Sequence, residues 1–362
     1  MLLSPVQRRY AMAVAVAALL LAMTACGGTP ASQTPPGQGQ PESVAGGQTN
    51  EASPFGRAAI ATQAGPNGEA AGDWPRTVLD AQGTEVVIPA PPQRIHTLSV
   101  GYDEITLALV DPARVVAVGR STVNPAYSNV AELAQRIPHH IERDAEQIIA
   151  VKPDLVVASP FVKADLLTQL RDAGLTVVVS DLQDSVDMHA ENIRLLAHLY
   201  GAEAEAERLI AKVEQRLDRI RAVVEEQLAT KPRPRVIRLS ARGSTPGRYT
   251  TMDGIIQHAG GINVAAEAGI ERWQSISLEQ VVELRPDVII VGSSEAGEEN
   301  FQNELLAHPA LQQVPAVAEG RVYVLPDRYM STLSHWNVRG VEELAKLLWP
   351  EALGDEVFPD DF

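Results

Sequence analysis

From Thr77 onward the chain alternates short apolar runs with amphipathic stretches. Thr77–Leu79 and Glu85–Ile88 flank Asp80-Ala81-Gln82-Gly83, which predicts a hairpin. Arg94–Ser99, Val115–Val118, Leu155–Ala158 and Val177–Val179 read as short buried strands. Helical patterns fall between them at Asp103–Val110, Ala145–Val151 and Ala164–Ala173, the last stopped by Gly174. Strands alternating with helices predict βα units and a mostly parallel sheet. A helical region follows: Met188–Tyr200, closed by Gly201, and then Glu203 to about Ala229 without Gly or Pro. Leu209, Val213, Leu217, Ile220 and Val224 recur every three to four residues, so one face of a long rod is apolar. Lys231-Pro232-Arg233-Pro234 ends it, and the βα pattern restarts. Strands are expected at Val236–Leu239, Val288–Val291 and Val322–Leu325. Helices are expected at Met252–Ala259, Leu278–Leu284, Asn300–Leu306 and Val338–Leu348.

One segment occurs twice. Asp144–Val157 (DAEQIIAVKPDLVV) and Ser277–Ile290 (SLEQVVELRPDVII) align without gaps, sharing Glu, Gln, Pro and Asp and matching Lys152 with Arg285. Each reads as a short helix, a Pro-Asp turn and a buried strand. The expected fold class is therefore α/β: two Rossmann-like parallel-sheet lobes joined by one long interlobe helix. Two lobes create a cleft, and clefts between domains are where ligands bind.

The N-terminus has a different texture. Arg8 and Arg9 precede an apolar run from Tyr10 to Ala22, which is shorter than the roughly 20 residues a membrane span needs. Residues 1–25 read as a secretory signal. Cys26, the only cysteine, follows Thr24-Ala25 and precedes Gly27-Gly28. This resembles a bacterial lipoprotein signal, with Met23 where Leu is usual, and marks Cys26 for lipidation. Residues 26–73 are rich in Gly, Pro, Gln, Ser, Thr and Ala and read as a flexible tether. The expected order is then an N-terminal lobe (74–187), a helical region (188–230) and a C-terminal lobe (231–362).

Composition narrows the function classes. A net charge of −16 argues against a nucleic-acid partner. Losing residues 1–25 would make it −18, so acyl chains rather than charge must hold the chain to a membrane. A single cysteine excludes an internal disulfide, a Cys-based zinc site and an iron–sulfur cluster. No P-loop, G-x-S-x-G, G-x-G-x-x-G or H-E-x-x-H motif is present. A surface hydrolase with a dispersed active site stays as the alternative class.

The chain resembles the lipid-anchored or periplasmic substrate-binding proteins of ABC importers for iron–siderophore complexes, haem and cobalamin. The duplicated EQ…PD segments carry this, with Met252–Ile270 (MDGIIQHAGGINVAAEAGI), Val317–Leu325 (VAEGRVYVL) and Val338–Pro350 (VRGVEELAKLLWP). The resemblance implies a shallow interlobe cleft, limited hinge motion, no catalysis and no resident cofactor. It also implies an ABC permease dimer as partner, docked through one glutamate per lobe, here Glu146 and Glu279. Solvated helix-start glutamates are the plain alternative.

Ligands of parallel α/β lobes meet the loops at the carboxyl ends of strands. Those loops hold seven of the 16 aromatic residues: Tyr102, Tyr127, Phe161, Tyr249, Trp273, Tyr329 and Trp336. Aromatic rings could stack on a flat ligand, and Arg242, Arg248 and Arg328 could neutralise an anionic ferric complex. Asn124 lies in the same set of loops, as does the Ser293-Ser294 pair. For any single residue, loop packing or solvation is an equal alternative. His335 or Tyr102 could ligate haem iron as a minority reading. The eight histidines show no metal-ligand spacing, which disfavours a bare Zn²⁺ or Mn²⁺ carrier.

Overall fold

The computed structural model describes residues 74–293, 298–360 and 362. The signal segment, Cys26, the tether and Ser294 lie outside them. A hairpin of β1 (Arg76–Leu79) and β2 (Glu85–Ile88) opens the described chain. The first parallel sheet is built from β3 (Ile95–Thr97), β4 (Val115–Gly119), β5 (His139–Ile141), β6 (Leu155–Ala158) and β7 (Val177–Val179), in the order β5-β4-β3-β6-β7. Helices α1 (Val100–Leu109), α2 (Ala131–Ala134), α3 (Ala145–Ala150) and α4 (Ala164–Asp172) connect these strands. Then come α5 (His189–Tyr200) and α6 (Glu203–Leu228).

The second lobe continues with β8 (Arg235–Leu239), β9 (Ser244–Pro246), α7 (Thr251–His258), β10 (Ile262–Asn263), α8 (Val264–Glu267) and β11 (Trp273–Ser275). Next are α9 (Leu278–Leu284), β12 (Val288–Gly292), α10 (Glu298–Ala307), α11 (Pro315–Ala318), β13 (Val322–Leu325), α12 (Asp327–Met330), α13 (Asn337–Leu348) and α14 (Pro350–Leu353). Its parallel sheet has the order β10-β8-β12-β13, and β9 pairs antiparallel with β11 outside it.

The repeat in sequence is a repeat in backbone detail. Asp144 caps α3 by accepting from the Gln147 amide, and Ser277 caps α9 in a reciprocal capping box with Gln280. Both helices end at a left-handed residue before proline, Lys152 at φ 48° and Arg285 at φ 46°. The aspartate of each Pro-Asp then clamps the start of the lobe's central strand. Asp154 accepts from the amides of Gln93 (2.7 Å) and Arg94 (2.9 Å), and Asp287 from the amide of Arg235 (2.8 Å). These aspartates thereby satisfy strand-end donors that water would otherwise take.

The 26-residue α6 spans about 40 Å at 1.5 Å per residue. Its five periodic residues are all buried, together with Ala206 and Ile210. They do not form a seam of their own. One continuous apolar core runs from α1 and α5 through α6 into α7 and α13, joining material from both lobes. Smaller cores lie on the outer face of each sheet. A rod that shares its core with both lobes resists bending, because hinge motion would separate close-packed side chains.

Candidate ligand cleft

A cavity of about 770 Å³ opens at the carboxyl ends of β3, β4 and β5. Strand-end loops place residues 97–101, 119–122 and 141–143 around it. The facing wall is supplied by the segment that leaves β13, through Asp327, Arg328, Ser331, Thr332 and Leu333. Ser99 stands at the start of α1 without a side-chain cap, so its turn presents the helix's positive end to the cavity.

Three arginines line the space. Arg143 donates from Nε to the Leu98 carbonyl (3.1 Å). Arg328 donates to the Pro125 carbonyl (2.8 Å) and stacks over the Tyr329 ring. Arg120 stands 3.8 Å from Glu142, both well exposed, so their pairing is weak. Asp327 pairs with Arg238, whose guanidinium lies 4.8 Å over the Trp273 ring. Hydroxyls of Ser99, Ser121, Thr122 and Ser331 complete a polar lining. Among the described residues, no cluster of three or more His, Cys, Asp or Glu could hold a metal ion.

Two titratable groups lie beneath. His96 bonds the Ala117 carbonyl through Nδ1 (2.9 Å), and burial pushes its pKa down to about 4, so the ring is neutral. Asp103 accepts from Thr97, Thr122 and the Gly119 amide, yet burial raises its pKa to about 7.

The aromatic cluster expected from the sequence is split by the fold. Tyr102 is enclosed in the core: α1 begins at Val100, so residue 102 falls on its inward face. Its hydroxyl donates to the Ser180 carbonyl (2.5 Å). Tyr329 is buried beside Arg328 and Arg339. Trp336 starts α13 and packs edge-on against Phe362 at 4.8 Å. His335 is buried beside it and outside the cavity lining, and burial pushes its pKa down to about 3. Neither Tyr102 nor His335 therefore reaches the cavity. Tyr127 does line it. Trp273 is exposed and outside the cavity lining, with the Arg238 guanidinium over its ring. Arg248 and Tyr249 line a second, smaller cavity of about 380 Å³ against α7 and α8. Arg242 sits on the β8–β9 turn, where its amide bonds the Ser240 hydroxyl. Phe161 projects into solvent at 79% exposure. Asn124 is exposed, and its side chain caps its own turn at the Ala126 amide.

Among the cavity residues that the sequence leaves unmarked are Arg120, Glu142 and Arg143. Arg143 follows β5, a three-residue strand too short to show an alternating pattern. Glu146 and Glu279 stand exposed in the first turns of α3 and α9, at equivalent positions of the repeat.

Residues 95–329, which span most of both lobes and the long helix between them, match the family model described as periplasmic binding protein. The chain belongs to the periplasmic binding protein family. Members of this family are binding proteins rather than enzymes. An uncharacterized ABC transporter substrate-binding lipoprotein of Bacillus subtilis is 27% identical over 77% of this chain and 87% of its own length. A cobalamin-binding protein of Halobacterium salinarum is 30% identical over 61% of this chain and 59% of its own length. Among solved structures, the apo periplasmic heme-binding protein RhuT of Roseiflexus sp. RS-1 is 30% identical, with a TM-score of 0.62. It covers 72% of this chain and 99% of its own. The heme-binding protein HmuT, at 23% identity and a TM-score of 0.64, shares the fold.

Proposed function

We propose that this chain is the extracytoplasmic substrate-binding component of an ABC importer. Its cleft captures a ferric siderophore or a related iron or corrinoid complex and delivers it to the permease. The supporting observation is the cavity at the strand ends, where Arg120, Arg143 and Arg328 gather in a chain of net charge −16. A local cationic, hydroxyl-rich cleft in an acidic protein suits a ligand rich in oxygen acceptors. A second reading, haem, is favoured by the 30% identity to the Roseiflexus protein. Cys26 anchors the chain through acyl groups, and residues 26–73 give the binding domain reach above the membrane. Glu146 and Glu279 meet cationic residues of a two-fold permease symmetrically, since each occupies the same place in its lobe.

Tryptophan quenching by ferrioxamine B, haemin and cyanocobalamin tests the ligand class. Saturable quenching by at least one supports the reading, and no response to any of the three overturns it.

A further inference from the structure

The C-terminal wall of the cavity is one segment, residues 327–333, and that segment is fastened to the opposite lobe. The fastener is Glu104 on α1, which is fully buried. Its Oε2 accepts from the Thr332 hydroxyl (2.6 Å) and the Ser334 hydroxyl (2.5 Å). Its Oε1 accepts from the backbone amide (2.7 Å) and Nδ2 (2.9 Å) of Asn129. The same Asn129 amide group donates to the Arg328 carbonyl (2.8 Å), and Arg328 returns a bond to the Pro125 carbonyl. Ser334 closes the ring by donating its backbone N–H to the Thr332 hydroxyl (3.1 Å). Asn192 of α5 donates to the Leu333 carbonyl (3.3 Å), and a Cβ on Gly101 would come within 3.4 Å of Leu333. On its own lobe the segment is tied to β8 through Arg238, which reaches Asp327 and Ser331.

We propose that Glu104 is a positioning residue for ligand capture. Its carboxylate straps the Arg328–Ser334 segment onto the N-terminal lobe, so the two walls of the cavity form one preassembled unit. The ligand enters without the C-terminal sheet having to close over it. The inference rests on the binding function proposed above, but the strap can be read without any ligand. A buried carboxylate with four donors is costly to leave half-satisfied, so each donor removed loosens the segment that carries it. Preassembly removes an ordering cost at the moment of binding and keeps association from waiting on a conformational step.

The test is hydrogen–deuterium exchange on the full chain, comparing wild type with Glu104→Ala, Glu104→Gln and the pair Thr332→Val/Ser334→Ala. The last variant keeps the carboxylate and its Asn129 donors, which guards against simple misfolding. Peptides over 327–334 should exchange about tenfold faster, while peptides over β8 and β12 stay close to wild type. Glu104→Gln keeps one acceptor and should fall between wild type and Glu104→Ala. Adding the hydroxyl pair to Glu104→Ala should change little, because both changes remove the same contacts. Unchanged protection of 327–334, a uniform rise across both sheets, or additive effects would overturn the strap. The probe that quenches wild-type tryptophan should associate more slowly with each variant, and unchanged association with a loosened strap would overturn the positioning role. If no probe quenches wild type, the binding reading fails, and the exchange pattern still decides the strap.

Discussion

Asp103 lies under the cavity with three hydrogen-bond donors and no cationic partner among them. Burial dominates, raising its pKa from 3.8 to about 7. The native state therefore holds a proton there that the unfolded chain has already released, and stability contributed by neutral Asp103 is lost as pH rises from about 4 to about 7. Asp103→Asn removes that titration. In urea unfolding at several pH values, the variant should gain on wild type as pH rises through this window. A difference that stays constant with pH would contradict the assignment. Tyr102 makes a second residue-scale prediction. Its hydroxyl serves the Ser180 carbonyl inside the core, so Tyr102→Phe should lower stability by about 1–2 kcal/mol in chemical unfolding. Ligand affinity should not change, since the ring does not line the cavity. A stacking role would instead show as weakened binding at unchanged stability.

At the scale of elements, the duplicated segment and the long helix are legible because each carries a strong pattern. The EQ…PD repeat announced two equivalent units, and α6 displayed its buried face at a spacing of three to four. Other pieces left no such trace. Strands β5, β9 and β11 are three residues each, and β10 has two, too short for alternation to register. The start of α1 is hard to read because its first turn holds Val100 and Gly101, both weak helix formers, which places Tyr102 outside the expected helix. The candidate site was only partly legible for the same reason. Three of the seven loop aromatics, Tyr102, Tyr329 and Trp336, are drawn into the interior, while Arg120 and Arg143 reach the cavity from turns without distinctive neighbours. Leu217 tests the shared core. It lies on α6, buried within the cluster that spans both lobes. Leu217→Ala should destabilise the protein by about 2–5 kcal/mol in a single unfolding transition. Two separate transitions would show that the lobes do not share that core.

For the whole molecule, the duplicated lobes present Glu146 and Glu279 at matching, exposed sites on α3 and α9. Paired charges at the rim govern encounter and orientation more than the ligand site. Replacing both with Ala should abolish ligand uptake in cells while leaving ligand affinity in solution intact, measured by transport and by titration of the same protein. Undiminished uptake would contradict the docking role. The cavity belongs to the strand ends of one lobe and to a strap from the other, in a family of binding proteins. That arrangement makes direct titration the most telling measurement. Isothermal titration of the full chain with ferrioxamine B, haemin and cyanocobalamin should give saturable binding with at least one. Arg143→Ala should weaken that binding about tenfold or more, as loss of a charge-assisted contact to the ligand predicts. Absence of binding by all three, or binding that Arg143→Ala leaves unchanged, would contradict the account.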